Sequence, residues 1–278
     1  MAIHHPVTEQ LLILTKTYPS PSAKYRETTC VAAVNSSGQM RRLYPVPYRL
    51  LDGENQFQKW EWIRASISSA DGDLRPESRH IDADSIQREG NIIKPKDGDW
   101  SERVRWIQPH IVPTFAALEA RRQATGETLG FLRSSKIVEL QISPVKQVDW
   151  TEADKIKLSQ DGLFDSSEIK QRHPLRKLPV DFHYRYECAT SGKPETNIHK
   201  LTDWEIGALY WNCVRSYGPN GWEVKFRHRL ETDFAKKDLL LLMGTIHRFP
   251  DQWLIVGIVY PTKPPIGAAT QIGLSLGQ

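Results

Sequence analysis

The stretch TTCVAAVNSSGQMRRLYPV, residues 28–46, decides how the first part of the chain folds. Two runs of strand-forming residues, 28–34 and 39–46, flank NSSG, and these four residues are typical of a tight turn. We therefore predict a β-hairpin here.

Similar short runs lie on either side of this hairpin. QLLILTK (10–16) precedes it and FQKWEWIRASI (57–67) follows it. The second run alternates strictly, yet neither face is purely apolar, so its tryptophans are predicted to be available to solvent or to a ligand. Several short strands in succession indicate a small barrel or a curled antiparallel sheet.

The rest of the chain mixes helices and strands. The polar segment from about 70 to 112 predicts long loops around a short strand or two. Later segments have clearer helix and strand patterns. We predict helices at 113–126, 151–160, 202–217 and 222–235, strands at 136–143 and 182–189, and a buried hairpin made of 238–247 and 252–261.

These elements predict an α+β fold with two domains. Residues 1–112 would form an antiparallel β-barrel-like domain, and residues 113–278 an α+β domain with a β-hairpin, two to three helices and a basic helix face. Within the helix predicted at 202–217, Cys213 lies on the apolar stripe and is expected in the core.

The composition is that of an ordinary globular protein of 278 residues and 31.9 kDa, 39% hydrophobic and 25% charged. No apolar run approaches the roughly 18 residues of a membrane span, and the N-terminus does not resemble a secretory signal. We therefore expect a cytoplasmic protein with no membrane partner. The three cysteines are few and far apart, which argues against a disulfide framework.

The positive charge is concentrated in the last third of the chain. The net charge is only +4, but residues 170–278 carry 15 basic and 10 acidic side chains. Such an excess is expected of a surface that binds a polyanion, and it is equally typical of a solvated loop and helix face.

Two predicted contact surfaces follow from the placement of cations and aromatic rings. In the loop after the first strand, cations and hydroxyls that suit phosphate alternate with tyrosines that suit a base, although Pro19 and Pro21 also fit a stiff surface loop. The first surface comprises Lys16, Tyr18, Lys24, Tyr25, Arg26, Arg41, Arg42 and Arg49. The second comprises Arg172, Arg176, Lys177, Lys225 and Arg229.

Acidic and thiol side chains are the candidates for catalysis or metal binding, the alternative to simple nucleic-acid binding. The acids Glu27, Asp71, Asp73 and Glu77 are expected near the basic loop in the fold, where they would serve as acid, base or metal ligands in a nuclease-like enzyme. Cys188 and His199 are too few for a structural zinc site, which needs four ligands. We predict no metal and no cofactor, and no motif assigns a catalytic residue.

Several stretches resemble an uncharacterised bacterial family. They are LTKTYPSPSAKYRETTCVAA, RRLYPVPYRLL, DWEIGALYWNC and LLLLMGTIHRFPDQWLIVGIVYP, and together they span nearly the whole chain. Its members are similar to proteins encoded near mobile elements and antiphage defence loci, which implies DNA or RNA as the partner. Family members often have two cysteines and a histidine before the DWE segment, and this chain matches only with Cys188 and His199.

The sequence thus favours a nucleic-acid-binding protein, DNA more than RNA, acting as a subunit or accessory factor of a defence or mobile-element system. Lysine and arginine would contact phosphates, and tyrosine and tryptophan would contact bases. Two alternatives remain open: a metal-dependent enzyme acting on nucleic acid or a nucleotide, and a protein–protein adaptor that binds a product of the same operon.

Overall fold

The computed structural model describes residues 5–159 and 174–263. The fold is α+β, with a closed five-stranded barrel at the N-terminus followed by further sheets and helices, as the sequence predicted. The barrel half contains β1 Val7–Lys16, β2 Ser20–Ser22, β3 Arg26–Asn35, β4 Met40–Val46, β5 Glu61–Ser69, β6 Ser78–Ile81, β7 Gln87–Ile92 and α1 Ser101–Ile107.

The second half is built from two smaller sheets and three helices within the described ranges. Its elements are β8 Ile111–Val112, α2 Phe115–Thr125, β9 Leu129–Ser134, β10 Lys136–Pro144, α3 Glu152–Ser159, β11 Val180–Cys188, β12 Glu195–Lys200, α4 Trp204–Arg227, the π-helix His228–Asp233, β13 Leu239–Ile246 and β14 Phe249–Val259.

The barrel closes in the order β1-β3-β4-β6-β5 and back to β1. The turn at 35–38 joins β3 to β4 as predicted: the Gly38 amide donates to the Asn35 carbonyl at 2.9 Å, and Gly38 has a φ of 79°. One pairing departs from the antiparallel prediction, because β4 and β6 run parallel. A parallel pair needs a long connection, and residues 47–77 between them supply it.

The apolar run in β1 is continuous because both of its faces are covered. Leu11 and Ile13 belong to the cluster that fills the barrel. Leu12 and Leu14 belong to a second cluster, together with Leu242 of β13. The barrel therefore shares a core with the sheet β14-β13-β9-β8, and a strand buried on two faces loses the usual alternation. The predicted division at residue 112 stays a prediction.

Local signals placed the helix α2 well. The Thr114 hydroxyl accepts a hydrogen bond from the Ala117 amide at 3.1 Å, and Gly126 ends the helix with a φ of 77°. The prediction of long loops over 70–112 overlooked the helix α1, which forms there with a single fully buried apolar residue, Ile107. A helix this short has too few turns for a periodic signal.

The helix α4 begins one residue later than its capping box predicted. Asp203, not Thr202, is the N-cap, because Thr202 is held by its amide hydrogen bond to the Ile255 carbonyl, 2.9 Å. The range of α4 and of the π-helix after it contains the two helices predicted at 202–217 and 222–235, because Gly218, with a non-helical φ of 73°, separates them and Pro219 follows at the start of the second. Cys213 is in the core, as predicted.

Candidate nucleic-acid interface

A cleft of about 620 Å³ lies where the barrel meets α4, and we call it the junction cleft. Its lining combines aromatic rings with cations, and Glu205 is the one carboxylate among its described lining residues. The rings are Tyr48, Trp60, Trp100, Trp204 and Tyr260, and the cations are Lys16, Lys59 and Arg103.

Each wall of the cleft is fixed by a different part of the fold. Lys16 is the last residue of β1, and Tyr260 follows the last residue of β14. Trp204 is the first residue of α4, positioned by the Asp203 cap, whose carboxylate accepts hydrogen bonds from the Glu205 amide at 2.6 Å and the Ile258 amide at 3.0 Å. The cap therefore ties the start of α4 to the end of β14.

The aromatic rings lie in two groups around the cleft. Tyr48 meets Trp204 edge to face, with ring centroids 5.4 Å apart. Trp100 lies 5.5 Å from Tyr260, which stacks at 4.8 Å on Phe234. Rings held by such contacts have little rotational freedom, so they present fixed faces to a ligand.

Trp60 also borders the cleft, although it is only 2% exposed, and it has an unusual backbone conformation. Its φ is 66°, a left-handed value that is uncommon for a bulky residue. Backbone hydrogen bonds hold it there, because its amide donates to Ile13 at 2.7 Å and its carbonyl accepts from Ile93 at 2.8 Å. Conformations of this kind cluster at ligand sites, where the surrounding structure maintains them.

Two cations of the cleft contact aromatic rings and are not paired with a carboxylate among the described residues. The Lys16 ammonium lies 3.9 Å from the centroid of the Tyr48 ring, and the Arg103 guanidinium lies 4.7 Å from that of Trp100 and 5.1 Å from that of Trp60. Across residues 5–159 and 174–263, neither cation forms an ion pair. Burial lowers the pKa of Lys16 to about 8 and also lowers the pKa of Arg103.

The third cation, Lys59, is neutralised within the protein. Its ammonium donates to the Ile258 carbonyl at 2.8 Å and to the Glu205 carboxylate at 3.1 Å. Burial by itself would lower the pKa of Lys59, but attraction to Asp203 and Glu205 outweighs it and raises the pKa. Burial raises the pKa of Asp203 to about 6. Lys59 is thus a structural cation, whereas Lys16 and Arg103 interact with Glu205 only at longer range and form no ion pair within the described ranges.

A second aromatic and cationic group borders the cleft, and we call it the Tyr18 cluster. The Trp211 indole donates to the Tyr18 hydroxyl at 2.9 Å, and that hydroxyl donates to the Arg176 carbonyl at 2.8 Å. The guanidinium of Arg176 lies 3.4 Å from the centroid of the Trp211 ring. Because the Tyr18 ring is also 6.4 Å from Trp204, the cluster continues the wall of the cleft.

The prediction that Arg41 and Arg42 contact phosphate is wrong, because both side chains are buried. Arg41 is 7% exposed and forms two hydrogen bonds of 2.9 Å with Glu9. Arg42 is 5% exposed, lies 3.4 Å from Glu77, and donates to the Thr128 carbonyl at 3.1 Å. These guanidinium groups neutralise internal acids and do not face solvent.

The remaining residues of the first predicted surface do not form one patch. Arg49 lies 3.1 Å from Glu27, and Arg26 starts β3 half-buried with a φ of 60°. Lys24 and Tyr25 line a different cavity of about 660 Å³. That cavity also contains three aspartates, so its charge does not favour a polyanion: Asp52, Asp82 and Asp84.

The second predicted surface is also divided. Arg229 lies 5.8 Å from the centroid of the Tyr260 ring at the cleft, and it pairs with Asp233 at 3.4 Å. Lys177 donates to the Asp149 carbonyl at 3.1 Å, and Lys225 is exposed on α4. Arg172 lies outside the described residues.

The acids considered for catalysis are engaged in internal pairs. Asp73 accepts from Arg75 at 2.8 and 2.6 Å, and these contacts hold the pKa of Asp73 far below its usual range although burial opposes them. Glu77 and Glu27 are buried in the pairs described above, and Asp71 is exposed. In the described ranges, no group of three or more histidine, cysteine, aspartate or glutamate residues could hold a metal ion.

Cys188 and His199 occupy neighbouring strands without forming a metal site. His199 pairs with Tyr184 across β11 and β12, and its Nδ1 lies 3.0 Å from the Tyr186 hydroxyl. Burial lowers the pKa of His199 to about 4 and raises the pKa of Cys188 to about 11. Both side chains are therefore neutral near pH 7.

Sequence reasoning missed most of the cleft. Five of its main residues were not predicted as contacts: Lys59, Trp100, Arg103, Trp204 and Tyr260. The alternation in 57–67 predicted accessible tryptophans, and this prediction is wrong for Trp60, which borders the cleft but is only 2% exposed. Trp62 is half-buried and packs edge-on against Trp106 at 4.9 Å.

The length and apolarity of the helices bear on whether any of them could span a membrane. Among the residues described, no helix is long and apolar enough to cross a bilayer.

Comparisons with known proteins give a family and a distant structural likeness. A solved structure described as "Structure and Conformational Change of a Replication Protein A Heterotrimer Bound to ssDNA" is similar at 10% identity with a TM-score of 0.27. The alignment covers 94% of this chain and 66% of that one. No curated protein matches the chain. A family model described as Domain of unknown function (DUF8758) matches residues 7–109. A second family model, described as Domain of unknown function (DUF8757), matches residues 111–276, more than half of the chain. The chain therefore belongs to the DUF8757 family.

Proposed function

We propose that this protein binds nucleic acid through the junction cleft and the adjoining Tyr18 cluster. The observation that carries the proposal is the lining of the cleft, where five aromatic rings surround Lys16 and Arg103, two cations without carboxylate partners among the described residues. Stacking on aromatic rings and neutralisation of phosphate are the two interactions that hold single-stranded nucleic acid.

The charges around the cleft support an anionic partner over a neutral one. Lys16 and Arg103 are partly desolvated, so an approaching phosphate gains a stronger attraction there than at a fully hydrated lysine. Arg176 extends the positive charge along the Trp211 ring. A strand that follows this line would contact rings and cations in alternation, with little sequence preference.

The biological role that we propose rests on the resemblance of the sequence to a bacterial family. The sequence resembles proteins encoded near mobile elements and defence loci, and on that resemblance we assign an accessory role in such a system, with DNA favoured over RNA. A protein partner from the same operon fits that role.

The test is fluorescence anisotropy with labelled single-stranded DNA, duplex DNA and RNA, across a salt series from about 50 to 200 mM. Mg²⁺ is present in one arm and absent in the other, and a gel checks whether the oligonucleotides stay intact. We expect single strands to bind most tightly, with affinity that falls as salt rises.

A matched pair of variants locates the surface. Arg176→Gln should weaken binding and reduce the salt slope, whereas Arg64→Gln should not, because Arg64 lies on the barrel wall paired with Glu89 at 3.2 Å. Absence of binding by the wild type to all three nucleic acids would refute the proposed function. Oligonucleotides cut only with Mg²⁺ would instead favour an enzyme.

A further inference from the structure

The junction cleft has the size of a small-molecule site. Its volume of about 620 Å³ lies within the roughly 300–1,000 Å³ usual for such sites, and a duplex is too wide to enter it. Single-stranded nucleic acid can be held by rings and cations along an open surface alone. An aromatic cleft of this volume therefore asks for a more specific ligand than a strand held along a surface.

We propose that the junction cleft binds one unpaired nucleotide, with its base against the rings and its phosphate beside Lys16 and Arg103. This assignment rests on the proposed function and deepens it, because it names the unit that the cleft recognises. The smallest ligand that carries both features is a nucleoside monophosphate.

The phosphate position follows from Lys16 and Arg103, the two lining cations that form no ion pair within the described ranges. Arg103 is oriented by its Nε–H, which donates to the Ile93 carbonyl at 2.6 Å, so the rest of its planar guanidinium group remains for a ligand. The Lys16 ammonium lies 3.5 Å from the Phe57 carbonyl oxygen, and a Lys ammonium has three donors. A phosphate beside these groups would supply polar contacts in place of the hydration that burial has partly removed.

The base position follows from the rings. Trp100 and Trp204 are half-buried, so each presents ring surface to the cavity. Trp100 packs against Tyr260, and Trp204 packs against Tyr48. Because these contacts already fix both indole rings, ligand binding does not have to pay for ordering them. A base that leaves its stack in a strand regains stacking on such a ring.

The test titrates the full-length protein with adenosine 5′-monophosphate, adenosine and inorganic phosphate, followed by calorimetry and by tryptophan fluorescence. The monophosphate should bind saturably and displace a labelled single-stranded oligonucleotide. Adenosine and phosphate should each bind at least about tenfold more weakly, because each lacks one half of the interaction.

Two variants and two controls make the test specific. Trp100→Ala and Arg103→Gln should each weaken monophosphate binding by about five- to a hundredfold. Trp62→Ala is the control for the tryptophan, since Trp62 is also half-buried but packs on Trp106 outside the cleft. Arg64→Gln is the control for the arginine. If Trp100→Ala does not fold, Trp100→Leu keeps an apolar side chain and removes the aromatic face.

The outcomes separate the two proposals. Salt-dependent oligonucleotide binding, with no monophosphate competition and cleft variants like the wild type, would overturn the cleft assignment and leave the proposed function standing. Saturable monophosphate binding without oligonucleotide binding would support the cleft and refute the proposed function. If neither ligand binds, both proposals fail.

Discussion

The arginines of the barrel wall and the cations of the junction cleft differ in their partners. Arg41, Arg42 and Arg49 each meet a carboxylate, at 2.9, 3.4 and 3.1 Å. Lys16 and Arg103 meet the faces of aromatic rings, and within the described ranges no carboxylate pairs with either.

This difference shows why a basic, aromatic stretch of sequence does not by itself identify a binding surface. In the barrel wall the positive charge is cancelled by internal acids, so it contributes to the fold. In the cleft it is exposed to a cavity lined by rings, so it is available to a ligand. The two groups should therefore respond oppositely to mutation.

The largest effect expected is on stability, from Arg42→Met. The substitution leaves the Glu77 carboxylate buried without its counter-charge, and such losses cost about 3–5 kcal/mol. Urea denaturation measures it, with Arg64→Met as the control, because that exposed pair should contribute at most about 1 kcal/mol. Oligonucleotide affinity of the folded Arg42→Met protein should match the wild type, and a stable protein that has lost affinity would break the comparison.

Packing behind the cleft gives the next effect, through Gly207→Ala. A Cβ at Gly207 would lie 2.2 Å from the ring of Tyr18, so the ring must move and disturb its contacts with Trp211. We expect unfolding to become easier by about 1–3 kcal/mol, together with weaker oligonucleotide binding. Gly53→Ala is the matched change, since no atom lies within 4 Å of its Cβ. Equal denaturation curves for the two variants would contradict this packing.

A smaller effect should appear in the salt dependence of binding. Arg103→Gln removes one phosphate contact, so the slope of log affinity against log salt should fall by about one. Arg41→Gln should leave that slope unchanged, because Arg41 is occupied by Glu9. Anisotropy across the same salt series measures both slopes. The comparison would be reversed if Arg41→Gln changed the slope and Arg103→Gln did not.

The smallest effect is a pH dependence set by Lys16. Burial lowers the pKa of Lys16 to about 8, opposed by the acids Glu205, Asp203 and Glu61 and assisted by Lys59. Lys16 therefore loses its charge as the pH rises through about 8, and affinity for single-stranded DNA should fall over that range. Lys16→Met should bind more weakly at neutral pH and lose this dependence, whereas Lys16→Arg should keep the affinity at higher pH.

Folding stability should shift the opposite way with Lys16. Its pKa is lower in the folded protein than the ordinary value of 10.5, so the unfolded chain binds more protons between the two values. The contribution of Lys16 to stability therefore rises as the pH increases from about 8 to about 10.5. Comparing the pH dependence of urea denaturation for wild type and Lys16→Met isolates this term.

The sequence by itself determined the elements whose signals are local. The hairpin at 28–46, the apolar hairpin of β13 and β14, and the capped helix α2 all depend on turn residues, caps and periodic apolar positions within a few residues of one another. It missed β9 and β12, which lie between stronger neighbours and are assigned by the strands that pair with them.

Only the tertiary structure decided which charges are free and where the cleft lies. Lys59 and Glu205 are 146 residues apart, and Arg42 and Thr128 are 86 apart, so no local pattern reveals that these groups meet. Ion pairing and cavity shape depend on contacts between distant segments, whereas strand and helix signals depend on neighbours in the chain. The sequence therefore predicted an α+β fold with basic and aromatic residues, and the packing of β1, α1 and α4 selected those that face the cleft.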